Sequence, residues 1–146
     1  MFKKRSPIYS LGSSTRSAVE FVQLLRLYSL ELVADVRRYP TNRFPHFQRN
    51  ALSLLLREAG LDYVYLGDDL GGYRRGGYQA YTLTEGFAEG MVRLEQIAAQ
   101  KRAAILCAER LPWRCHRRFI GFELERRGWE VIHIIDEKRT WQPTTQ

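Results

Sequence analysis

Short apolar segments alternate with longer helical patterns along the whole chain, and that alternation restricts the fold more than any other feature. Ile8 to Gly12, Leu32 to Arg37, Tyr63 to Gly67, Ala103 to Ala108 and Val131 to Ile135 read as five strands. Ser17-Ala18-Val19-Glu20 has the form of a capping box, in which the serine and the glutamate three residues on each satisfy an orphan N–H. The helix it opens carries Ala18, Phe21, Val22, Leu25 and Tyr28 on one face. Ala51, Leu52, Leu55, Leu56 and Ala59 form a second helical face that Gly60 can terminate. Thr82-Leu83-Thr84-Glu85 predicts another capping box, followed by Phe87, Met91, Leu94 and Ala98, and a last helix is expected from about Cys115 to Arg127. The glycine- and tyrosine-rich stretch from Asp68 to Tyr81 predicts a long exposed loop.

Strand and helix alternating in this way predict an α/β fold. The expected form is a single three-layer domain over residues 1–146, with a mainly parallel five-stranded sheet and helices on both faces. Rossmann-like and flavodoxin-like windings are both open. Residues 1–7 and about 137–146 are expected to be flexible tails. A chain of 146 residues can bury a sizeable core without help from a metal or a disulfide. No apolar run approaches the ~18 residues of a membrane span. The basic start at Lys3-Lys4-Arg5 lacks the apolar stretch of a secretory signal, so a cytoplasmic location with no membrane contact is expected.

The net charge of +7 rests on 23 basic against 16 acidic residues, and all but four of the basic ones are arginine. A genome-wide codon bias accounts for such a preference as readily as function does. Either way the field favours anionic partners, with nucleic acid and phosphorylated metabolites both candidates.

In an open parallel sheet ligands bind beyond the carboxyl ends of the strands, and the chain's unusual residues collect there. The first strand runs into Ser13, Ser14 and Thr15, whose hydroxyls and N–H groups before a helix suit an anion or serve as a simple cap. The second ends at Asp35, which with Arg37 and Arg38 close by is expected to orient an arginine or act as a base. The fourth ends in Cys107-Ala108-Glu109, followed by Arg114-Cys115-His116-Arg117-Arg118. Glu109, leaving a buried strand, is expected to need a cation, with Arg117, Arg37 and Arg16 as candidates. Cys115 at a helix start beside His116 is a candidate low-pKa thiol, whereas Cys107 reads first as a packed core thiol. Tyr73, Arg74 and Arg75 mix aromatic and cationic groups that can stack bases and hold phosphates, or form only a solvated loop. Other chemistries fail on spacing. The position six after Cys107 is Trp113 and six after Cys115 is Gly121, so no phosphatase-type loop is present. Two cysteines and an adjacent histidine are not a zinc set, and no Walker or Gly-x-Gly-x-x-Gly pattern appears, so no metal and no cofactor are expected.

Several of these stretches together resemble the DUF488 family from about Ile8 to Ile134. They are Tyr9 to Thr15, Asp35-Val36-Arg37-Arg38-Tyr39-Pro40, Tyr63 to Leu66, Leu70-Gly71-Gly72, Leu106 to Glu109, Cys115 to Arg118 and Gly128 to Ile134. The resemblance implies an α/β fold and a shared site containing Asp35, Arg37, Cys107, Glu109, Cys115, His116 and Arg117. It implies no settled activity, although some members are labelled as resembling DNA-repair proteins. The family has Gly-His-Ser where this chain has Gly12-Ser13-Ser14, so a histidine role there is absent. By the same resemblance, Arg43, preceded by Asn42, matches a family arginine that usually follows a serine.

Three functions are expected in descending order. The first is an enzyme acting on a phosphate-bearing substrate, with nucleic acid included. There Ser13, Ser14, Thr15, Arg37, Arg43 and Arg117 hold the anion; Glu109 and Asp35 orient them or move a proton; and Cys115 or His116 is nucleophile or acid/base. The second is a non-catalytic module binding an anion or a partner, and the third is a thiol redox protein using Cys107 and Cys115. The oligomeric state is open.

Overall fold

The computed structural model describes residues 7–41 and 43–143. Residues 1–6, most of the expected amino-terminal tail, Asn42, and 144–146, the end of the expected carboxyl-terminal tail, lie outside them.

Six strands form one sheet: β1 (Ile8–Gly12), β2 (Leu32–Asp35), β3 (Asp62–Tyr65), β4 (Ala103–Cys107), β5 (Val131–Ile134) and β6 (Thr140–Trp141). Their order is β3-β2-β4-β1-β5-β6, parallel except for β6, which runs antiparallel to β5. This is the Rossmann order 3-2-1-4-5-6 with the central pair exchanged. The exchange places β4 between β1 and β2, with Gly12 opposite Cys107 and Asp35 opposite Leu106. Three loops that carry unusual residues therefore leave the sheet side by side.

The helices are α1 (Ala18–Leu27), α2 (Arg49–Glu58), α3 (Gly67–Leu70), α4 (Tyr78–Tyr81), α5 (Glu85–Ala98) and α6 (Arg117–Arg126). Two 3₁₀ turns, Pro45–Phe47 and Pro112–Arg114, each begin at a proline whose fixed φ suits a first helical position. The capping box forms as the sequence requires, Ser17 and Glu20 exchanging both hydrogen bonds at the head of α1. Phe21, Leu24 and Leu25 of α1 and Leu52 and Leu56 of α2 cover one face of the sheet against Tyr9, Leu11, Val33, Ala104 and Leu106. Phe87, Met91 and Leu94 of α5 and Ile120 and Leu124 of α6 cover the other, against Ile8, Ala34, Ala103 and Ile105. Alternate residues of β4 thus enter opposite cores, which is why that strand reads as continuously apolar.

Three expectations need correction. Thr84, not Thr82, caps α5, accepting a hydrogen bond from the Phe87 amide, and Glu85 becomes the first helical residue. The segment from Asp68 to Tyr81 is not one exposed loop. It makes α3 and α4, because Leu70 and the Tyr78 ring are drawn into the core beside Phe87, with the Tyr78 hydroxyl donating to the Leu70 carbonyl. The polar carboxyl-terminal stretch contributes β6, where the Trp141 ring packs on His133 and Trp113 at centroid distances of 5.4 and 5.2 Å.

Candidate functional site

The site is built where β1, β2 and β4 end. Beyond the strands the pairing of β1 with β4 continues, since the Ser13 and Ser14 amides donate to the Cys107 and Ala108 carbonyls. Gly12 makes that approach feasible: a Cβ there would lie 1.9 Å from the Glu109 carbonyl oxygen. After Glu109 the chain makes its proline-led turn and re-enters at Cys115, so the two cysteines meet.

A cavity of about 520 Å³ opens at this edge. Cys107, Glu109, Arg114, Cys115 and His116 line one side and Arg37, Arg38, Tyr39 and Tyr73 the other. The Cys115 Sγ lies 2.6 Å from the Cys107 Sγ and 3.6 Å from the His116 Nδ1. The amide of Arg117, first residue of α6, also points to the Cys115 sulfur, at 3.5 Å. The His116 Nε2 donates to the Val36 carbonyl, 2.9 Å away. A carbonyl only accepts, so the Nε2 must carry a proton and Nδ1 is left to face the sulfur.

These contacts separate the two thiols electrostatically. The S–H of Cys107, followed by His116 and the Arg117 charge, outweighs burial and lowers the Cys115 thiol to about 4. Burial, reinforced by the neighbouring Cys115, pushes Cys107 well above its ordinary value. The two shifts oppose each other, favouring the proton on Cys107 and the thiolate on Cys115. Cys107 is buried as a core thiol would be, yet its sulfur meets that of Cys115 in this site.

Asp35 is fully buried beneath the cavity and faces Arg37 rather than open space. Its two carboxylate oxygens each accept from the Arg37 guanidinium at 2.8 Å, and Oδ1 also accepts the Arg37 amide. The Tyr63 hydroxyl donates to Oδ2 at 2.5 Å, and the remaining arm of Arg37 donates to the Phe47 carbonyl. Of the two roles expected of Asp35, this geometry is that of a positioning residue.

Glu109 departs from expectation. Its carboxylate is exposed and, among the described residues, has no cationic partner; it accepts only the Leu111 amide, at 3.3 Å. Arg117 grips the carbonyls of Glu109 and Arg110 instead, each at 2.9 Å. Arg117 is fully buried, and its Nε and Nη1 have no partner among the described residues. It stands behind Cys115 as a fixed positive charge and does not line the cavity.

The remaining candidates are spread more widely. Ser13 is buried, with its hydroxyl unpartnered among the described residues. Ser14, Thr15 and Arg43 line a shallower depression that shares Thr41, Ala108 and Glu109 with the main cavity. Arg74 turns away from the cavity to the carbonyls of Gly71 and Asp68 and stacks over the Tyr81 ring at 4.0 Å, stapling the wall together. Tyr39, Thr41 and Gly72 also line the cavity; Tyr39 and Gly72 lie in stretches that carry the family resemblance, whereas nothing in the sequence singles out Thr41. A Cβ at Gly72 would sit 3.2 Å from the His116 Nδ1. No group of three or more metal-ligating side chains is assembled among the described residues. No helix among them is long and apolar enough to cross a membrane.

An α/β domain with a cysteine pair and arginines at the carboxyl edge of a parallel sheet is the class of protein that this fold and site define. The chain belongs to DUF488, a family of domains of unknown function, whose model matches residues 17–122. That span includes Asp35, Arg37, Cys107, Glu109, Cys115, His116 and Arg117 but leaves out Gly12 to Thr15. No curated protein and no solved structure shows a match to it.

Proposed function

We propose that the protein is an enzyme in which the Cys115 thiolate attacks a phosphate-bearing substrate held in the cavity. The observation that carries this reading is the placement of the Cys115 sulfur. It sits at the head of α6, beside His116, in a cavity lined by Arg38 and Arg114, the Arg37 fork being spent on Asp35 and Phe47. Arginine forks suit phosphate oxygens, and a helix head adds partial positive charge where anionic charge would build. In the proposed reaction the sulfur forms a bond to the electrophilic atom and the leaving group departs with its electron pair, taking a proton from solvent water. Glu109, exposed on the same wall with no cationic partner among the described residues, would take a proton from the water that frees the sulfur.

Tyr39 and Tyr73 favour nucleotides or single-stranded nucleic acid within this class. They stand exposed at the cavity mouth with ring centroids 6.0 Å apart, and Arg38 lies over the Tyr39 ring. Thermal-shift titration with nucleotides, short oligonucleotides and phosphosugars tests the reading, followed by acid quench and mass analysis of Cys115. A shift that salt weakens and that Arg38→Ala/Arg114→Ala removes, with an adduct lost in Cys115→Ser, is the expected result. Binding that survives in Cys115→Ser, with no adduct in the wild type, would make the protein a non-catalytic anion-binding module. No shift with any of these compounds would overturn the proposal.

A further inference from the structure

We propose that Cys107 and Cys115 form a dithiol–disulfide exchange pair oxidised by low-molecular-weight disulfides, with Cys115 making the first attack and Cys107 resolving it. The inference uses the same thiolate as the proposed function but does not depend on the substrate. The two sulfurs come from opposite ends of the proline-led turn and already stand 2.6 Å apart, whereas a disulfide bond needs ~2.05 Å. Both line the cavity, but Cys115 is half-buried and can meet a reagent, whereas Cys107 is only 2% exposed.

The electron bookkeeping closes without a further reagent. The Cys115 thiolate attacks one sulfur of a disulfide R–S–S–R, forming a mixed disulfide and expelling RS⁻. That step removes the negative charge from Cys115. Two of the influences holding the Cys107 proton in place, the hydrogen bond to Cys115 and the charge on it, vanish together, while the attraction of Arg117 for a thiolate remains. Cys107 then gives up its proton, which leaves on the second departing thiol, and its sulfur attacks Cys115. The products are the protein disulfide, RSH and RS⁻: two protein sulfurs are oxidised and two reagent sulfurs reduced. Arg117 is the fixed counter-charge for whichever cysteine is the anion, which gives its burial without a carboxylate a chemical role.

The test incubates the full chain with oxidised glutathione, without any phosphate-bearing compound, then alkylates under denaturing conditions and measures mass. The expected wild-type product has lost two hydrogens, retains no glutathione, resists alkylation at both cysteines and regains both thiols with dithiothreitol. Cys107→Ala is expected to retain glutathione on Cys115, and Cys115→Ala to react at least tenfold more slowly. A wild-type product that keeps glutathione on Cys115 while Cys107 stays alkylatable overturns the inference. So do two thiols that remain alkylatable at every glutathione ratio, and neither result bears on phosphate binding. The wild-type measurement decides the question even if a variant fails to fold.

Discussion

Replacing Asp35 with alanine tests the reading of this carboxylate as a support for Arg37. In the native protein Arg37 is 5% exposed and holds Asp35 through its Nε, its Nη2 and its amide. Alanine leaves the guanidinium buried with only the Phe47 carbonyl, and strands the Tyr63 hydroxyl as well. Breaking a buried pair from one side costs about 3–5 kcal/mol, a large part of the ~5–15 kcal/mol that holds a domain folded. With an unfolding entropy of about 2.1 cal/mol/K per residue, 146 residues convert that loss into a Tm lowered by roughly 10–16 °C. Scanning calorimetry on the wild type, Asp35→Ala, Arg37→Met and the double variant measures it. The double variant is expected to regain more than half of the loss, because its buried charge is gone. An Asp35→Ala protein melting within about 2 °C of the wild type would refute the argument, since surface changes cost about that little. So would a double variant whose loss is the sum of the two single ones.

The rate of Cys115 alkylation by iodoacetamide, followed against pH, is expected to have its midpoint near 4; Cys107→Ala should move that midpoint upward by removing the S–H donor. A midpoint near the ordinary ~8.5 would refute the assignment. His133 is buried against Ser10, and desolvation, with the Arg117 charge, lowers it from 6.5 to about 3. Between those values the unfolded chain takes a proton that the folded chain refuses, so stability falls as pH drops. Urea titrations at pH 7 and 5 should differ by about 2 kcal/mol from this group, and His133→Gln should remove that difference. Gly12→Ala is expected to cost about 1–3 kcal/mol by overpacking, since its Cβ would meet the Glu109 carbonyl; an unchanged Tm would contradict the close approach there.

The alternation of segments was enough to place five strands and the layers around them, because burial leaves a period in the residues that experience it. Strand order was not readable. Nothing in Ile8–Gly12 or Ala103–Cys107 says that these two are neighbours, and that adjacency is what brings Gly12 to Glu109. Residue type pointed to several of the side chains that line the candidate cavity, among them Arg37, Cys107, Glu109, Cys115 and His116. The contacts were harder to foresee. Arg117 looked like a partner for the Glu109 side chain, but it holds that residue's carbonyl, a group every residue possesses and no sequence distinguishes. Leu70 and Tyr78 were hidden among glycines and arginines, so the stretch around them passed for loop. His133 gave no signal inside an apolar strand, because its neighbours Ser10, Gly121 and Trp141 come from three other elements, one of them the two-residue β6 that is too short to show a pattern.

The seam between β1 and β4 outlasts the strands themselves, running on through Ser13 and Ser14, whereas the wall across the cavity is fastened by Arg38 to the Tyr73 carbonyl and by Arg74 to Gly71 and Asp68. The two walls are consequently secured by different means: main-chain pairing, which survives a change of side chain, on one side, and two arginine side chains, either of which a single substitution would remove, on the other.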